Sequence, residues 1–115
     1  MSTLVYKILR PSEWEGANKT GVLAGSPDDL RDGFIHFSTA EQLRATAEKH
    51  FAGETPLILL AVDAATLGET LRWEVSRGGQ KFPHLYAKLP LSLVKSCREI
   101  HRDADGKCIV PSDIP

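Results

Sequence analysis

Six consecutive apolar residues, Leu57-Ile58-Leu59-Leu60-Ala61-Val62, constrain this chain more than any other stretch. A run of that length is strand-sized, too short to cross a membrane, and unbroken by any polar side chain. It predicts a central strand buried on both faces, with secondary structure on either side to cover it. At 115 residues there is room for one core, so residues 1–115 are read as a single domain.

The flanking segments fit that centre. Leu4 to Leu9 alternates, with Leu4, Tyr6 and Ile8 on one face and Val5, Lys7 and Leu9 on the other, as a strand requires. Arg10-Pro11 breaks it. Ser12-x-x-Glu15 then has the form of a capping box, predicting a short helical turn that carries Trp14 and ends near Gly16. Ser26-Pro27-Asp28-Asp29 is a second start signal, closed within a turn or two by Gly33. Phe34 to Ser38 reads as a strand running into the main helix, Thr39 to Phe51, where Thr39-x-x-Gln42 is the capping box and Ala40, Leu43, Ala47 and Phe51 form the apolar stripe.

Leu71, Trp73 and Val75 alternate with Arg72 and Glu74, the pattern of a half-buried strand. A Gly78-Gly79 turn leads to Phe82-Pro83-His84-Leu85-Tyr86. The tail reads as a hairpin with Asp103-Ala104-Asp105-Gly106 at its tip. Pairing Arg102 with Lys107 sets His101 opposite Cys108 and leaves Cys97 out of register, so no Cys97–Cys108 disulfide is expected. Strands outnumber helices and do not alternate with them; the fold class is α+β.

The formal net charge is −1, which offers no basic face for duplex nucleic acid or a membrane surface, although Arg72, Arg77, Lys81 and Lys88 form a local basic patch. The first ten residues lack the basic start, apolar core and cleavage site of a signal peptide. Two cysteines are too few for a disulfide scaffold, and the expected setting is reducing cytoplasm.

Chemistry concentrates in two stretches. In Phe34-Ile35-His36-Phe37-Ser38, alternation sends Ile35 and Phe37 to the core and stands His36 beside Ser38, just ahead of a helix start whose N–H groups favour an anion. The plainer alternative is that Ser38 or Thr39 only caps and His36 satisfies a carbonyl. In Phe82-Pro83-His84-Leu85-Tyr86, the period of two puts Phe82, His84 and Tyr86 on one face, suited either to stacking on a flat ring or to an aromatic core. Arg72 and Glu74 are a candidate substrate clamp and general base, or a solvated strand face. Alternation thus predicts that His36, Ser38, Arg72, Glu74, His84 and Tyr86 line one cleft. His50 ends a helix and reads as structural. His36, His84 and His101 could in principle hold zinc, but no local ligand spacing supports it, and no metal is expected.

Gly33-Phe34-Ile35-His36-Phe37-Ser38-Thr39-Ala40-Glu41-Gln42, then Trp73-Glu74, then Phe82-Pro83-His84-Leu85-Tyr86, resembles a bacterial and plant family of domains of unknown function, number 952. The resemblance runs from Tyr6-Lys7-Ile8 and Trp14 through Val94, departing where Ala87-Lys88 replaces a Gly-Pro. It implies a split β-sheet similar to ADP-ribosyltransferases, near the NAD-dependent RNA 2′-phosphotransferase branch. His36 would then match the first-strand histidine that holds a nucleotide ribose, His84 the second histidine of that branch, and Glu74 is the nearest candidate for a catalytic glutamate.

Three functions follow. In an NAD-linked or nucleotide-processing transferase, Ser38, Thr39 and Arg72 would hold phosphates, Phe82 or Tyr86 would stack on a base, and His36, His84 and Glu74 would orient ribose or move protons, with NAD as co-substrate. A non-catalytic module could bind a small nucleotide-like ligand with the same residues. A metal-dependent hydrolase is the least supported.

Overall fold

The computed structural model describes residues 3–104. The apolar run becomes β4 (Leu57–Asp63), the middle strand of an antiparallel sheet between β1 (Leu4–Leu9) and β8 (Val94–Ile100). Residues 57 to 62 are all buried, because each face of this sheet has a core of its own. On one side Val5, Leu9, Ile58, Leu60 and Val62 pack with Ala17, Ile35, Phe37 and Leu85. On the other, Tyr6, Ile8, Leu57, Leu59 and Ala61 pack with Leu43, Ala47 and Phe51. Two covered faces are the reason that β4 carries no polar side chain before Asp63.

A second antiparallel sheet has the order β3 (Ile35–His36), β6 (Lys81–Leu85), β5 (Leu71–Val75), and a two-stranded ribbon pairs β2 (Val22–Leu23) with β7 (Leu89–Pro90). The segment read as one strand, Phe34 to Ser38, serves both large sheets. His36 lies opposite His84, the Phe37 N–H donates to the Pro83 carbonyl at 2.9 Å, and Ser38 then exchanges two 2.8 Å backbone hydrogen bonds with Tyr6 of β1. This single bridge stitches the sheets together. The fold is α+β, with every strand pair antiparallel among the described residues.

The helices correct the sequence reading in two places. Helix α1 (Pro11–Thr20) is not capped at Ser12 and does not stop at Gly16. Arg10 is its N-cap, Pro11 takes the first helical position, and the Glu13 carboxylate accepts the Arg10 N–H at 2.8 Å. Helix α3 (Leu43–His50) is shorter than 39–51. The Gln42 side chain does accept the Thr39 N–H at 3.0 Å, but its amide also donates to the Lys81 carbonyl at 2.9 Å, and this tie to β6 holds residues 39–42 as a turn. At the other end, the Phe51 N–H donates to the Ala47 carbonyl, and the buried Arg102 guanidinium donates to the carbonyls of Ala47, Phe51 and Glu54, which fixes the end of α3 and the turn after it. Helix α2 (Pro27–Asp32) matches its signals: Ser26 and Asp29 form a reciprocal capping box, and Gly33 closes it at φ 86°.

Strand β5 also departs from its pattern. Trp73 and Val75 are 41% and 66% exposed, not buried. The strand is an edge, Pro83 opposite Trp73 already fills the core, and of the apolar face only Leu71 packs against it. Cys97 is an exposed free thiol; Cys108 and the hairpin partner residues from 105 onward lie outside the described residues. Among those described, no helix is long and apolar enough to cross a membrane.

Candidate functional site

Beside the bridge between Tyr6 and Ser38 lies a pocket of about 110 Å³. Its walls are Tyr6, Lys7 and Ile8 of β1, the acidic residues of α2, His36 to Ser38, Thr46 and His50 of α3, and Phe82 and His84 of β6. For scale, a cavity of roughly 150 Å³ accommodates benzene. The pocket therefore suits one ring-sized group, with the rest of any larger ligand lying outside it.

One wall is a chain of alternating charge. Lys7 Nζ lies 2.8 Å from Asp29 Oδ2, Asp29 Oδ1 lies 2.5 Å from His36 Nδ1, and His36 Nε2 lies 3.0 Å from Asp32 Oδ2. Arg31 continues it, at 3.1 Å from Asp32 and 3.3 Å from Asp28. Asp29 is the hub. It is 2% exposed, and its carboxylate also accepts the backbone N–H groups of Ser26 and His36, at 2.9 and 3.1 Å. Burial works to raise its pKa, but the hydrogen bond from His36, the charge and hydrogen bond of Lys7 and the Ser26 N–H prevail. Together they hold the carboxyl well below the usual range.

Local sequence sets this hub. Asp29 is the third residue of α2, so the capping box turns its carboxylate back toward Ser26 and the pocket. Gly25 makes room: at φ 120° it has a backbone that favours glycine, and a Cβ there would come within 2.7 Å of the Asp29 Cβ. With carboxylates at both ring nitrogens, His36 can donate to both only as the doubly protonated ring.

The second imidazole is held differently. His84 Nδ1 lies 2.9 Å from Glu74 Oε1, the same oxygen that accepts the Tyr86 hydroxyl at 2.6 Å. Those two hydrogen bonds, Tyr86 first, lower the Glu74 pKa, and Glu74 in turn raises that of the Tyr86 phenol. A carboxylate at Nδ1 fixes the tautomer with its proton there, which leaves the Nε2 lone pair available. Phe34 stacks on His84 with ring centres 4.1 Å apart, and it also touches His36 and Tyr86. The two imidazoles meet edge to face at 5.6 Å, because His36 and His84 are direct cross-strand partners.

Of the residues singled out from sequence, His36, Ser38, Phe82 and His84 border the pocket. Glu74 and Tyr86 reach it only through His84, and the Arg72 guanidinium lies 5.2 Å from the Tyr86 ring centre. Thr39 belongs to the turn before α3 and is not on the wall. The anion seat expected at a helix start beside Ser38 does not form. Helix α3 begins at Leu43, and the Ser38 hydroxyl pairs with Thr46 at 2.9 Å. His50, read as structural, lies on the wall, whereas His101 pairs with exposed Glu99.

Sequence reading missed Lys7, Asp29 and Asp32 as site residues. The available signal was Lys7 itself, a charge placed between Val5 and Leu9 on the face of a strand that otherwise faces a core. No group of three or more His, Cys, Asp or Glu among the described residues is arranged to hold a metal ion.

An antiparallel α+β domain with a histidine-paired pocket at the seam of two sheets is the class that this geometry defines. The chain belongs to the family described as "Protein of unknown function (DUF952)", whose model matches residues 8–97. It is similar to protein CC0527 from Caulobacter crescentus. The crystal structure of that protein aligns at 51% identity and a TM-score of 0.89, covering 93% of this chain and 94% of that one. The solution structure of the same protein aligns at 52% identity and 0.82, over 90% of each chain. No curated protein matches.

Proposed function

We propose that this protein is an NAD- or nucleotide-processing transferase of the ADP-ribosyltransferase-like kind, working in the pocket at the sheet seam. The observation that carries the reading is the pairing of two differently held imidazoles, one set between two carboxylates and the other oriented by a single carboxylate. His36 offers its Nε2 N–H to a ribose hydroxyl or phosphate oxygen that displaces the partly exposed Asp32. His84, oriented by Glu74, offers a lone pair to an acceptor hydroxyl whose proton must leave. Phe34 and Tyr86 supply flat surfaces for a base outside the ring-sized pocket. The resemblance of the Phe34 to Ser38 and Phe82 to Tyr86 motifs to family 952, and the fold which that resemblance implies, support NAD as co-substrate. A cytoplasmic setting agrees with a free Cys97.

A second reading, a non-catalytic nucleotide-binding module, is favoured by His36 itself, since a ring held between two carboxylates is fixed in place to orient a ligand. Calorimetric titration with NAD and ADP-ribose tests what the two readings share. The wild type should bind at least one of them, and His36→Ala should bind it more weakly by about tenfold or more. No binding of either by the wild type would contradict both. Release of nicotinamide from NAD by wild-type protein separates the transferase from the module.

A further inference from the structure

Lys7 is 5% exposed and lies between Val5 and Leu9, neither of which touches solvent. Setting an ammonium there is costly unless its protons are used. It has three. Asp29 Oδ2 takes one at 2.8 Å, and among the described residues no other partner is present. Lys7 lines the pocket, as do Asp29, His36 and Ser38.

The charge at this inner end points to the sign of the ligand. Asp29 is shared: it faces the Lys7 ammonium on one oxygen and the His36 ring on the other, and it accepts two backbone N–H groups besides. Its acceptor capacity is used up, so a cationic ligand group finds no available carboxylate beside Lys7. The other two acids on the pocket wall, Asp28 and Asp32, are paired with Arg31, and Asp32 with His36 as well, nearer the rim. What the inner end offers is donors, the two N–H groups that Lys7 does not give to Asp29.

We propose that Lys7 is a ligand-binding residue whose two remaining N–H groups hold an oxyanion, the phosphate of the nucleotide taken by this pocket. The proposal rests on the nucleotide reading for the identity of the anion, and on the buried ammonium alone for its existence. Lys7 is thus a binding residue of the site in its own right, and its pairing with Asp29 orients it.

Titration with inorganic pyrophosphate and with ADP-ribose in phosphate-free buffer tests it. Two variants are needed, since an unpaired Asp29 can prevent folding. Lys7→Gln keeps a neutral donor for Asp29, and Lys7→Met combined with Asp29→Asn removes both charges with little change of shape. The wild type should bind pyrophosphate, and each variant with a native circular dichroism spectrum should bind it about tenfold or more weakly. Wild type that ignores pyrophosphate, or a folded variant that binds it as tightly as wild type, overturns the proposal. Lys7-dependent pyrophosphate binding without ADP-ribose binding upholds the anion seat and removes the nucleotide reading. ADP-ribose binding of equal strength in wild type and variants does the reverse.

Discussion

Asp29→Ala is expected to lower stability by about 3–5 kcal/mol, the loss that follows when one partner of a buried ion pair is removed. Its carboxylate is almost wholly buried and takes contacts from Lys7, the His36 ring and two backbone N–H groups. Alanine leaves the Lys7 ammonium without a counter-charge and removes the half of the α2 capping box that the Asp29 side chain supplies. The same hub gives a pH dependence of definite sign. The folded-state pKa of Asp29 lies below the unfolded value of about 3.9. Its stabilisation is therefore fully present above that value and is lost as the pH falls through the folded-state pKa. Urea unfolding at neutral and at acid pH measures both effects. Wild type should lose more stability on acidification than a Lys7→Met/Asp29→Asn protein does. Equal losses, or an Asp29→Ala protein about as stable as wild type at neutral pH, would show that the hub is not what holds α2 to β1.

Glu74→Gln is expected to lower turnover by about 10²- to 10⁴-fold, the range a general base commonly contributes. The effect runs through the tautomer of His84. A carboxylate only accepts, so it keeps the imidazole proton on Nδ1 and the lone pair on Nε2. The glutamine amide can donate to Nδ1 instead, which moves the proton to Nε2 and removes the base. Glu74 is partly exposed and lies outside the packed cores, so stability should barely change. Replacing His84 directly is a less selective test, because that ring is buried under Phe34 and its loss would open a hole. Rates of nicotinamide release from NAD, with binding followed separately, check the prediction. A Glu74→Gln enzyme with unchanged kcat would remove the dyad from the mechanism.

Much of this fold was legible because its strongest signals are local. An unbroken apolar run of strand length suits a doubly covered strand, and β4 is one; Ser26-Pro27 and Gly33 bound α2 as their chemistry requires. Alternation in Phe34 to Ser38 and in Phe82 to Tyr86 was enough to bring His36 and His84 to one place. Apart from the start of α1, where Arg10 and Glu13 cap locally in place of Ser12, the failures have a different cause, which is competition from distant partners. Gln42 is drawn to the Lys81 carbonyl, so α3 starts late, and nothing near residue 42 announces that. Trp73 and Val75 alternate correctly, but whether an apolar face is covered depends on which strand forms the sheet edge. Asp29 carries an ordinary capping signal, and its second role appears only once α2 folds back onto β1. Lys7 was the exception, a visible anomaly on an apolar face whose partner lies 22 positions away in sequence.

We place nucleotide binding at the seam between the two sheets. Backbone amide shift mapping by NMR, with ADP-ribose added to isotope-labelled protein, tests it most directly. The account predicts that the largest and saturable changes fall on Lys7, Ser26, Asp29, His36, Ser38 and His84. Saturable changes centred on the exposed edge at Trp73 and Val75 or on β8, or none at all, would contradict it.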